Sequence, residues 1–231
     1  KNADTIITGV VVLARSGHAS TRDALLNKLL SLDLAKLSER QKLELSRAYA
    51  LAFVRMGEPA DKELAKRLIA SFDSQYPAKG ADLNRELSQL LVFLKAPSVI
   101  DKTLAMMDTK VESTMVVDKE ALDRNDGYGG TIKKVLANTP EIQNLHYAMT
   151  LRNLRYGWKE DQRKKYFNWY KDAATKSGGV SYGGFLKNFQ KDALANAPAK
   201  ERPSLEKLVG DASLAYKPAK PPTPKGPGQL W

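Results

Sequence analysis

Two histidines, no cysteine, a glycine-rich octet and one strongly basic, aromatic-rich stretch are the places where this sequence holds residues capable of chemistry. A protein metal site draws on three or four ligands at short spacing. His18 and His146 fall in different segments, with no acidic residue at ligand spacing, so a metal site is not expected and His146, between Leu145 and Tyr147, reads as a packed helix histidine bonded to a carbonyl. Without cysteine there is no thiolate nucleophile, no disulfide framework and no covalent haem motif. The Gly-x-Ser-x-Gly elbow, the phosphate-binding loop and the His-Glu-x-x-His helix are also missing, so no catalytic residue and no cofactor is expected within this stretch.

The octet Asp123-Arg124-Asn125-Asp126-Gly127-Tyr128-Gly129-Gly130 precedes Thr131, where a new helix can start. Glycine-rich backbone ahead of a helix N-terminus offers free N–H groups to an anion, and Asn125 and Asp126, with Tyr128 beside them, offer oxygens to a cation or a sugar hydroxyl. That makes a substrate-binding region of a carbohydrate-related enzyme one reading. The competing one is a tight turn, for which Asn-Asp-Gly supplies left-handed conformations.

Between Leu151 and Lys200 there are 11 basic residues against four acidic ones, a net of +7 out of +11 for the 231-residue chain. Arg152, Arg155, Trp158, Lys159 and Arg163, continued by Lys164 and Lys165, have the composition of a phosphate track with stacking platforms. This is the basis for a second reading, a polyanion- or nucleic-acid-binding module. On an amphipathic helix, however, Tyr166, Trp169 and Tyr170 form a core-facing stripe, leaving Lys164, Lys165 and Lys171 toward water. The basic surface then solvates the chain or docks an acidic neighbouring domain.

The elements that must carry these residues are helices. Apolar residues recur at helical spacing almost throughout, as in Leu43, Leu45, Tyr49, Leu51, Ala52 and Phe53, and strict alternation is rare. Ser38 followed by Gln41 is a capping-box signature, predicting a helix from there to Met56, stopped by Gly57-Glu58-Pro59. Aligning such stops exposes a repeat. Leu13 to Gly17 precedes a helix over 21–30, Phe53 to Gly57 one over 61–72, Val92 to Ala96 one over 99–107, and Leu151 to Gly157 one over 160–170. The steps are 40, 39 and 61 residues, the last lengthened by an insertion within about 108–130. Two-helix HEAT units repeat every 40 to 47 residues or so. The expected fold is an all-α, HEAT-like α-solenoid of stacked hairpins over residues 1–215.

The chain opens at Lys1 on an apolar run from Ile6 to Leu13 and ends in a strip where Pro218, Pro221, Pro222, Pro224 and Pro227 alternate with lysines. This predicts a piece of a longer protein, with 216–231 a Pro-rich linker to a following domain; a ligand for a proline-reading domain is the alternative. No apolar run is long enough to span a bilayer.

One string is distinctive: Gln143 to Leu154, then Gly157-Trp158, Tyr166 to Trp169, Gly178-Gly179, Tyr182 to Phe185, Asn188 and Asp192-Ala193. It resembles the helical-repeat segment of large multidomain proteins of planctomycete and verrucomicrobial bacteria, which often pair β-propeller or dehydrogenase-like regions with a cytochrome c domain. Leu34 to Val54 and Leu83 to Lys95 look like earlier parts of the same segment, so the resemblance covers the chain to about Leu208. It implies a periplasmic or otherwise exported parent in which this region is a non-catalytic scaffold or interaction domain, with neighbouring domains or a protein as its partners.

Overall fold

The computed structural model describes residues 2–109, 138–176 and 181–210. The tail 216–231, nearly all of the insertion, and with it Asn125, Asp126 and Tyr128, lie outside them. Among the described residues the chain is all-α, with ten α-helices and no strand. They are α1 (Ala3–Ser16), α2 (Arg22–Leu30), α3 (Glu39–Met56), α4 (Lys62–Gln75), α5 (Ala81–Phe93), α6 (Ser98–Asp108), α7 (Ile142–Leu151), α8 (Glu160–Ala173), α9 (Tyr182–Asn196) and α10 (Arg202–Val209).

Local chemistry accounts for the boundaries. At the start of α3 the Gln41 backbone N–H donates to Ser38 Oγ at 3.2 Å and the Ser38 N–H donates to Gln41 Oε1 at 3.1 Å, so two otherwise orphaned donors are satisfied. The helix ends at Gly57, whose φ of 86° is a conformation that side chains resist. Asp61 starts α4 by accepting from the Glu63 N–H at 2.9 Å. Gly157, also at φ 86°, turns the chain between α7 and α8, and Pro203 opens the short α10, where its missing N–H is no loss.

Among the described helices, most pack on the one two ahead in this order. In the odd series α1 contacts α3, α3 contacts α5, α5 contacts α7 and α7 contacts α9; in the even series α2 contacts α4, α6 contacts α8 and α8 contacts α10. Contacts such as α1 with α2, α2 with α3, α4 with α5 and α9 with α10 join the two series. Buried apolar side chains fill the space between, from Leu26, Leu29 and Leu45 through Leu87 and Ile100 to Leu151, Tyr166 and Leu205. Tyr49 meets Phe72 edge-on at 4.9 Å between centroids, and Phe53 stacks on Phe93 at 4.8 Å. α1 turns Ile7, Val10 and Ala14 inward but leaves Val12 and Leu13 more than half exposed. No described helix is long and apolar enough to cross a membrane.

Among the described residues, four polar bonds between helices span 39 or 40 residues of sequence. Arg55 donates to the Arg15 carbonyl 40 residues earlier, Arg67 to Asn27 at an interval of 40, Arg47 to Glu86 at 39, and Arg152 to Asp192 at 40. Across the insertion the interval is 58 for Arg85 with Gln143 and 61 for Gln162 with Asp101. These four intervals, and the longer ones across the insertion, lie close to the sequence steps of 40, 39 and 61.

Candidate functional site

The basic segment is built on α7, α8 and α9, and the six cations from Arg152 to Lys165 are engaged with the protein itself. Arg152, just past α7, donates from Nε to Asp192 at 3.1 Å, lies 4.9 Å over the Phe189 ring, and accepts from the Asn196 amide at its own carbonyl. Arg155 donates to Asn196 Oδ1 at 2.8 Å. Arg163 is buried at 5% exposure: its Nε is 2.9 Å from Glu201 at the start of α10, outside hydrogen-bond geometry, and its guanidinium lies 5.3 Å over Trp158. Lys159 is exposed, with its ammonium 4.0 Å from Asp101; Lys164 pairs with Glu160 at 2.7 Å and Lys165 with Asp108. These side chains address four different helices and do not converge on one face. Arg152 and Arg155 meet at α9, and Trp158 meets Arg163 on α8.

The aromatic residues of the segment divide in the same way. Tyr166, Phe167 and Tyr170 are fully buried, and Tyr166 donates to the Ala148 carbonyl while sharing a 2.7 Å hydrogen bond with Tyr170. Trp158 and Trp169 sit at the core edge, half-buried, where the sequence stripe had placed Trp169 inside and left Phe167 unassigned. Trp158 is fixed by donating its indole N–H to the Leu154 carbonyl at 2.8 Å.

A second feature escaped the motif reading. On α7, Ile142, Leu145 and Met149, and on α9, Phe185, Leu186 and Phe189, line an apolar cleft of about 340 Å³. Residues 142, 145, 146 and 149 and residues 182, 185, 186 and 189 are two helical stripes of identical spacing, 40 residues apart. The Arg152 and Arg155 bonds hold α9 at the C-terminal end of α7, and the stripes face the cleft on its N-terminal side. Ile142 and Phe185 are 67% and 59% exposed, large apolar side chains left in water at its mouth.

Two polar residues join this lining. Arg85 of α5 donates from Nε to Gln143 Oε1 at 2.7 Å and from Nη1 to the exposed Asp82 at 3.5 Å; among the described residues no hydrogen bond reaches its Nη2. His146 bonds through Nε2 to the amide nitrogen of Gln89 at 2.8 Å, not to a carbonyl as its sequence context suggested. An amide nitrogen only donates, so Nε2 accepts and the ring proton sits on Nδ1. Burial, reinforced by Arg85, lowers the His146 pKa and keeps the ring neutral near pH 7.

Within the string Gln143 to Leu154, two polar side chains tie helices together. Gln143 also donates to the Ala81 carbonyl at 3.1 Å, and Asn144 to the Met107 carbonyl at 3.1 Å, tying α7 to α5 and α6. No family model, no curated protein and no solved structure matches this chain.

Proposed function

We propose that this chain is a non-catalytic scaffold, a HEAT-like stack of helical hairpins that serves as an interaction domain within a larger exported bacterial protein. The observation that carries the proposal is the interval of its inter-helix bonds. Side chains on helices two apart bond at steps close to the sequence repeat, as expected when each hairpin repeats the last and touches only its neighbours. Gln143, Asn144 and Trp158 of the distinctive string support the same reading, because all three bond backbone carbonyls.

The pairing of Arg152, Arg163, Lys164 and Lys165 with carboxylates weighs against a phosphate track, since each contact to nucleic acid would first have to break a bond within the protein. Small-angle scattering tests the stack: an elongated particle is expected, and a sphere-like profile would sink it. The gene on either side of this stretch tests the rest. An export signal upstream and further domains in frame are expected; a reading frame confined to these 231 residues would end the scaffold proposal in that form.

A further inference from the structure

We propose that the cleft between α7 and α9 is a binding site for a small amphipathic monocarboxylate, such as a medium-chain fatty acid. Its tail lies between the two apolar stripes, and its carboxylate meets Arg85 Nη2 and His146 Nδ1–H.

The shape of the site favours a single small molecule. A volume of about 340 Å³ lies at the lower end of small-ligand pockets. The apolar lining is continuous along both helices, from Ile142 to Met149 and from Phe185 to Phe189. Filling it would cover Ile142 and Phe185, whose exposure the rest of the fold leaves unexplained.

Charge then selects the head group. Arg85 is the only charged residue among the lining residues; its Nη1 pairs at 3.5 Å with Asp82, which is largely exposed to water, and among the described residues no hydrogen bond reaches its Nη2. The nearby Glu86 carboxylate is held by Arg47 at 2.9 Å, so it offsets little of the Arg85 charge. The Gln89 bond fixes the tautomer of His146 so that Nδ1 is a donor, and among the described residues no hydrogen bond occupies it. Two donors, one of them cationic, at the margin of an apolar cleft are complementary to a carboxylate on an apolar tail. A cationic amphiphile would meet the same guanidinium as a repulsion.

The test uses the whole 231-residue protein and three ten-carbon probes, decanoate, decanol and decylamine, each titrated by calorimetry below its aggregation limit. Decanoate should bind saturably at one site, at least ten-fold more tightly than decanol, with decylamine weakest. The Met149 methyl resonance should shift on titration, since Met149 lines the cleft. Arg85→Met should bring decanoate down to the decanol level. Phe185→Asp, at a position already exposed to water, should weaken both probes while leaving the helical spectrum unchanged. No saturable binding of decanoate, equal binding of decanoate and decanol, or indifference to both substitutions would each overturn the proposal. The outcome is independent of the scaffold reading, because an elongated stack with an empty cleft and a compact protein with a filled one give different pairs of results.

Discussion

Arg163 shows what a formally surface residue does when the fold encloses it. Desolvation lowers its pKa, Glu201 opposes that shift, and the Trp158 ring covers the guanidinium. Removing the carboxylate strands a buried cation, whereas removing the cation leaves a partly exposed glutamate that can turn to water. Glu201→Ala should therefore destabilise the protein by about 2 to 4 kcal/mol and Arg163→Met by less. Urea unfolding of the two variants measures the difference, and equal losses would refute the asymmetry. The buried tyrosines set an alkaline limit. Burial pushes Tyr182 up to about 12 and raises Tyr49, Tyr76, Tyr166 and Tyr170 as well. A phenol in the unfolded chain ionises near pH ~10, so its folded form binds the proton more tightly. Stability is intact below that pH and falls as the pH rises toward 12. Thermal melts from pH 8 to 12 should show a flat region and then a steep loss; a melting temperature unchanged to pH 12 would contradict the burial.

At the scale of the element, the two turns at Gly57 and Gly157 make a controlled pair. Both have φ of 86°, so alanine strains either one, but only at Gly157 does an added Cβ fall 2.9 Å from Pro97 Cβ. Gly157→Ala should lose more stability than Gly57→Ala, each by upward of about 1 kcal/mol. Ser38→Ala, which removes the α3 cap, should lose about 1 kcal/mol. A chemical-denaturation series of the three checks the order, and a smaller loss at position 157 than at 57 would remove the role given to Pro97. The same elements show what sequence can reveal. Ser38, Gln41 and Gly57 act within a few residues of one another, so the signals for α3 are local and legible. The partner of Arg163 stands on another helix, and nothing near Arg163 announces Glu201. The cleft was half legible. Periodicity places Ile142, Leu145 and Met149 on one face, but it does not say whether that face closes on its neighbour or stands apart from it.

For the whole molecule, a net charge of +11 invites nonspecific attraction to any polyanion. With Arg152, Arg163, Lys164 and Lys165 already paired, DNA and heparin should bind weakly, without sequence preference, and release near physiological salt. Titration across a salt series checks this. Submicromolar affinity with a log-log slope steeper than about −4 would require several free phosphate contacts and would restore the nucleic-acid reading.

The interval of the inter-helix bonds has a mechanical consequence. Among the described residues no hydrogen bond between side chains reaches further than 61 residues, so none ties the first helix to the last. Tension applied at the two ends would pass through every junction in series, and the weakest junction would set the yield force. Rupture would begin where one helix peels from the next, while segments on either side remained folded. Extension in an optical trap should then advance in steps, each releasing one or two helices, instead of a single collapse of the whole.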